Sequence, residues 1–204
     1  MPAAHPEPVV ELLEAGALVA HLDALAQLRM SVFREYPYLY EGTLDYERAY
    51  LSGFAASPRG ALVIARDGDR VVGASTAMPL DDHSDAAVLA PPLEAAGFSP
   101  ARVYYFGESV LLPSARGRGI GHAFFELREQ AARRHGFDVC AFCAVARPAN
   151  HPARPADYRP HDAFWTRRGY RHHADVVASF EWRDVGEPLS THKPMVFWIR
   201  ELPP

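Results

Sequence analysis

The stretch VYYFGESVLLPSARGRGIG, from Val103 to Gly121, reads as an apolar strand, a glycine-rich turn and the start of a helix. Val103 to Leu112 is rich in β-branched, aromatic and aliphatic residues, and Pro113 ends the run where a further strand donor would be lost. Past the turn, Ile120, Ala123, Phe124, Leu127 and Ala131 recur at spacings of three and four, and Gly136 supplies a stop. On that spacing Arg128, Glu129, Arg133 and Arg134 are expected on the solvent face. A strand that passes straight into a helix leaves the helix's first amides unpaired. Glycine at 117, 119 and 121 lets an anion reach that backbone without meeting a Cβ, and Arg116 and Arg118 add positive charge. The segment is therefore an anion cradle suited to a phosphate or pyrophosphate, built from Arg116, Gly117, Arg118, Gly119, Ile120 and Gly121.

Outward from the cradle, the chain alternates short strands and helices. A strand is expected at Val9 to Leu13, then a helix whose face is marked by Leu18, Leu22, Leu25 and Phe33, stopped before Pro37. Asp45 is expected to cap a second helix through Tyr50 and Phe54. The segment ALVIARDGDRVVGASTAMP predicts a hairpin, with strands Ala61 to Arg66 and Val71 to Pro79 turning at Asp67 to Asp69. Asp81 to Pro100 is polar and proline-broken, with a short helix through Leu93 and Ala96. After the cradle helix come a strand at Val139 to Val145, a proline-rich loop, a helix at Asp162 to Arg168, and strands at Val176 to Trp182 and Met195 to Arg200.

Composition bounds the classes. With 204 residues and 49% hydrophobic content the chain can bury a full core, and one domain over residues 1–204 is expected. No apolar run is long enough to span a membrane, and MPAAHPEPVV lacks the basic start and apolar core of a secretory signal, so the expected location is cytoplasmic with no membrane partner. A net charge of -4 argues against a nucleic-acid partner held by phosphate neutralisation. Cys140 and Cys143 sit three apart in a strand-like run, so they face opposite sides and share neither metal nor disulfide. Ten histidines show no ligand spacing such as HExxH, and no metal is expected.

Glycine spacing separates the phosphate-binding classes. The nucleotide-hydrolase loop needs GxxxxGK followed by Ser or Thr, and Lys193 is the only lysine present. The dinucleotide fingerprint GxGxxG is missing because the glycines fall as GxGxG. The segment resembles motif A of the GNAT superfamily, the acyl-CoA-dependent N-acyltransferases, whose [QR]xxGx[GA] is met by Arg116, Gly119 and Gly121. The order of elements from about residue 8 to 200 resembles that fold as well. The resemblance implies an α/β fold with a mixed, mostly antiparallel sheet of about seven strands, splayed between the fourth and fifth and flanked by about four helices.

It also implies acetyl-CoA as co-substrate and a primary amine of a small molecule or peptide as acceptor. The pyrophosphate would sit on the cradle amides, and the pantetheine arm would add like a strand along Val110, Leu111 and Leu112. Glu108 interrupts the apolar strand and is the expected base, with a salt bridge to an arginine such as Arg102 as the alternative. The oxyanion would meet a backbone amide near Leu111 or Leu112. Family members often place a catalytic tyrosine in the helix before a GY or GF dipeptide, but AFWTRRGY puts Trp165 there; Tyr170, Tyr158, His161 or water are the alternatives, and Tyr170 is carried as the acid. Tyr36, Tyr38, Tyr40 and Glu41 are expected to wall the acceptor, through cation–π attraction, or else to pack into the core. A non-catalytic acyl-CoA-binding module with the same fold is the rival reading. The apolar last strand, MVFWI, is a candidate edge for a homodimer.

Overall fold

The computed structural model describes residues 8–203. Its order of elements is β1 (Val9–Glu14), α1 (Leu22–Phe33), α2 (Leu44–Ala56), β2 (Ala61–Asp67), β3 (Arg70–Pro79), α3 (Ala86–Ala95), β4 (Val103–Leu111), α4 (Ile120–Arg134), β5 (Val139–Val145), α5 (Asp162–Arg167), β6 (Arg171–Trp182) and β7 (Thr191–Glu201). One seven-stranded sheet runs β1-β2-β3-β4-β5-β7-β6, antiparallel except where β4 meets β5. That parallel pair holds only from Val103 opposite Val139 to Tyr105 opposite Ala141. Beyond Tyr105 the two strands part, which is the expected splay.

Alternation along the strands sends side chains into two layers. Leu62 and Ile64 meet Leu25, Leu51 and Phe54 of α1 and α2. Their neighbours Val63 and Ala65 meet Ile120 and Phe124 of α4. In the second half of the sheet α3 covers one face with Leu89 and Leu93, while α4 and Trp165 of α5 pack the other. Cys140 and Cys143 lie in different layers, both buried and free, as the strand period requires.

Several expectations need correction. α2 is capped by Thr43, whose Oγ1 accepts from the Tyr46 amide at 3.4 Å, and Asp45 falls inside the first turn. Leu18 belongs to a 3-10 turn, Ala15–His21, that precedes α1. The short helix expected through Leu93 and Ala96 is the ten-residue α3, which starts earlier, at Ala86, and runs through Pro91 and Pro92. Burial of Leu89 and Leu93 outweighs the two missing donors there. Arg128 and Glu129 are buried rather than solvated. β7, which carries MVFWI, lies between β5 and β6 and uses its backbone on both sides, so it offers no edge to a second copy. No helix among the described residues is long and apolar enough to cross a membrane.

Candidate active site

β3 and β4 pair Ala77 with Phe106 and Ser75 with Ser109, so Gly107 and Glu108 together oppose Thr76. The extra residue is a β-bulge, and it turns Glu108 to the α1/α2 side, where strict alternation would have sent it to α4. Glycine is required at 107, because a Cβ would come within 2.6 Å of Thr76 Oγ1 and 2.7 Å of the Phe54 ring. Arg128 of α4 holds the bulge from behind. Its Nη1 donates to the carbonyls of Thr76 and Glu108 at 3.3 and 3.2 Å, its Nη2 to Ser109 Oγ at 2.8 Å and its Nε to the Phe124 carbonyl at 3.1 Å. The guanidinium lies 4.2 Å from the Phe106 ring centre, and burial pushes its pKa down to about 10.

Glu108 is 3% exposed. Its Oε2 accepts from Arg29 Nη1 at 2.6 Å, and Arg29 Nε donates to the buried Glu47. Burial works against the Arg29 charge, but Glu108, Tyr50 and Glu47 outweigh it and hold the guanidinium firmly protonated. Two carboxylates thus share one cation, and Glu108 Oε1 is buried without a hydrogen-bond partner. The alternative reading, a salt bridge from Glu108 to an arginine, is thus met, with Arg29 as the arginine; Arg102 is elsewhere, paired with Asp138.

Glu108 and Arg29 line a cavity of about 650 Å3 between α1, α2 and the β6–β7 end of the sheet. Tyr38, Tyr40 and Glu41 line it too, with Tyr50, Tyr105 and Trp182 adding aromatic wall. His83 lies at its edge, 5% exposed, with Nδ1 accepting from the Asp85 amide at 3.0 Å; that bond assigns the ring proton to Nε2. Burial, helped by Arg29, pushes His83 down to about 4, so the ring is neutral near neutrality. Cys143 reaches the cavity from β5, 3.1 Å from the Tyr105 hydroxyl, its thiol pushed up to about 12 by burial.

The cradle lies where β4 gives way to α4. Gly117 and Gly119 have φ of +76° and +79°, a region that L side chains rarely adopt. A Cβ on either would meet nothing within 4 Å, so the requirement is conformational and the space above the turn is open. The helix starts at Ile120 with its first amides unpaired, as any helix does. Arg116 and Arg118 do not stand free: Arg116 reaches Glu35 and the Leu111 carbonyl, and Arg118 reaches Asp67. The Leu112 amide donates to the Val72 carbonyl at 2.9 Å. Ladder alternation then points the Val110 backbone toward β3 as well, and those of Ser109 and Leu111 toward the splayed gap.

The structure therefore brings Glu108, Tyr38, Tyr40 and Glu41 together and sets Leu111 and the cradle at the gap. Tyr36 stays outside, its ring 4.7 Å from Tyr158 and 5.7 Å from His151 of the proline-rich loop. Tyr170 does not join the cavity either. It is 1% exposed in the α4 layer, donates to Glu129 Oε1 at 3.1 Å, and burial drives its hydroxyl well above the usual range. Arg29, Glu47, His83, Asp85 and Arg128 are site residues that sequence reading missed. A signal existed for two: Arg29 falls on the stripe of Leu22 and Leu25, and Glu47 on that of Leu51 and Phe54, so each is a charge at an apolar position.

Comparison with known proteins agrees with this geometry. The ribosomal-protein-alanine N-acetyltransferase of Brucella melitensis superposes with a TM-score of 0.60 over 95% of this chain and 99% of its own, at 14% identity. The Salmonella typhimurium protein yncA, solved with its cofactor acetyl-CoA, gives 0.59 over 98% and 96%, at 11% identity. An acetyltransferase of Streptococcus agalactiae gives 0.60 over 95% and 98%, at 16% identity. At such identities these likenesses speak for the fold. No curated protein is matched by sequence. The family model for the Acetyltransferase (GNAT) family matches residues 22–171, most of the chain and every element from α1 to α5. With its splayed sheet, β4 bulge and glycine cradle, the chain belongs to the GNAT acetyltransferase family.

Proposed function

We propose that this protein is an N-acetyltransferase that uses acetyl-CoA to acetylate a primary amine held in the aromatic cavity. The observation that carries the reading is the position of Glu108, a buried carboxylate with one unpartnered oxygen on the cavity wall, on the strand that borders the splayed gap. The cradle fits a pyrophosphate, with open space above Gly117 and Gly119 and the unpaired amides of α4 beneath it. The exposed backbone of Ser109 and Leu111 fits the amides of a pantetheine arm. Acetyl-CoA supplies an activated acetyl thioester at that gap.

The protein's own groups then divide the work. An amine enters as an ammonium ion, drawn to the carboxylate oxygen of Glu108 that Arg29 leaves unpartnered and to the aromatic walls. Glu108 Oε1 takes a proton from it, directly or through water, which frees the nitrogen lone pair for attack on the thioester carbon. The Leu111 amide, aimed at the gap, is the donor for the developing oxyanion. As the C–S bond breaks, the nitrogen gives its second proton to water and the departing thiolate takes one from water, because Trp165 has no titratable proton and Tyr170 lies in the other layer.

A panel of small amines and short peptides, assayed for free CoA released from acetyl-CoA, tests the reading. Amine-dependent release is expected, with Glu108→Gln lowering kcat about a hundredfold or more while thermal stabilisation by acetyl-CoA persists. Stabilisation with no turnover across the panel would make the chain an acyl-CoA-binding module.

A further inference from the structure

Asp85 occupies the residue before α3, where an aspartate ordinarily accepts a hydrogen bond from first-turn amides. Its side chain makes no such bond. The carboxylate lines the acceptor cavity instead, 36% exposed. Among the described residues the only basic side chain within ion-pair distance is His83, with Nδ1 3.9 Å away. That nitrogen already accepts from the Asp85 amide and the ring is neutral, so it brings no positive charge. Burial accordingly holds the Asp85 carboxyl above its usual range, with no cation to oppose the shift.

A second, independent feature of the same cavity is Glu108, whose side chain is 1% exposed and whose Oε1 lacks a partner. Tyr50 lines the same cavity, and both carboxylates act on its hydroxyl to raise its pKa. The other charges on the wall do not cancel Asp85. Arg29 is spent on Glu47 and Glu108, Glu41 is tied to Arg34, and Glu181 and Arg183 are exposed at the mouth. A ligand that filled the cavity with a hydrocarbon tail would strip water from Asp85 and leave its charge uncompensated.

We propose that the acceptor is a terminal diamine, with one nitrogen acetylated beside Glu108 and the other held as an ammonium ion by Asp85. This rests on the acetyl-transfer reading above and adds to it the class of amine. Tyr46 and Tyr50 line the same cavity as the two acids, and their rings offer faces on which methylene groups pack and from which a cation gains.

The test compares cadaverine with n-hexylamine, which has the same number of heavy atoms and one charge fewer, as acceptors for the wild type and Asp85→Asn. In the wild type kcat/KM for cadaverine is expected to exceed that for n-hexylamine about tenfold or more, as a charge-assisted hydrogen bond supplies. In Asp85→Asn the ratio is expected to fall to about one, mainly through KM for the diamine. A variant that is merely less stable lowers both rates and keeps the ratio, and a kept ratio overturns the proposal, as does a wild type without preference. Calorimetry of cadaverine binding to the CoA-saturated protein separates the two readings, since no transfer occurs there. Binding lost in Asp85→Asn, with no amine turned over, sustains the cation site and sinks the transfer. Turnover of n-hexylamine with no advantage for the diamine does the reverse.

Discussion

His83 carries a consequence for stability that the cavity walls make plain. Its ring is packed edge-on among Phe54, Tyr50 and Tyr105, with centroids 5.1 to 6.0 Å apart, and burial depresses its pKa to about 4. In the unfolded chain the same imidazole titrates near its ordinary value of 6.5. Between the two values the unfolded state binds the proton and the folded state refuses it, so stability is lost as pH falls through this window and is fully present above it. From about pH 7 to about pH 5 the expected loss from this residue is about 2 kcal/mol. Urea unfolding of wild type and His83→Gln at the two pH values measures it. The variant should be less acid-sensitive by that amount, and parallel losses in both proteins would refute the assignment. Glu108 was legible in the sequence as an acid interrupting an apolar run, but Asp85 and His83 were not. They lie in a polar stretch whose helix is formed by tertiary burial of Leu89 and Leu93 in spite of its prolines.

Elements with a strong local period were read correctly because the period is itself the cause of the structure. The β2–β3 hairpin, the apolar β4 and the glycine turn ahead of α4 belong to this group. The bulge in β4 does not, since one extra residue between Phe106 and Ser109 leaves no mark on hydropathy. It is held by Arg128, which the helical spacing placed on the solvent face and which instead spends four donor contacts on buried acceptors. Replacing it leaves the Thr76 and Glu108 carbonyls without their donor, so Arg128→Met should cost about 3 kcal/mol. The bulge also aims Glu108, so under the proposed function kcat should fall about tenfold or more in the fraction that stays folded, while stabilisation by acetyl-CoA at the proposed cradle site persists. Denaturant midpoints, turnover and thermal shift together decide the matter. A loss of stability with unchanged kcat per folded molecule would mean that the bulge stands without Arg128.

The two halves of the splayed sheet are joined across the acceptor cavity by a clamp that no short stretch of sequence encodes. Arg147, just past β5, donates to the carbonyls of Pro37 and Tyr38, each at 2.8 Å, and grips Asp184 through two bonds of 2.7 and 2.9 Å. Around it the α1–α2 loop pairs with the β6–β7 loop. Tyr40 bridges Asp184, the Val185 amide donates to Leu39 at 2.6 Å, and the Trp182 indole donates to Tyr38 at 3.1 Å. Tyr38 and Tyr40 are thus fixed by contacts more than 100 residues away in sequence, which is why their placement could be expected only through the family likeness. Burial alone would raise the Asp184 carboxyl, and Arg147 with Lys193 outweighs it, holding the acid ionised. Arg147→Met should therefore cost about 3 kcal/mol, from the carbonyls of Pro37 and Tyr38 left without their donor and from an Asp184 charge left to Lys193 alone, 3.4 Å away. Asp184→Asn should cost less in the Arg147→Met background than alone, because the pair is then already broken. Under the proposed function both variants should raise KM for the acceptor by loosening the tyrosine wall, with acetyl-CoA binding at the proposed cradle site retained. Additive losses in a double-mutant cycle would show that the halves are held by the loop backbone rather than by the ion pair.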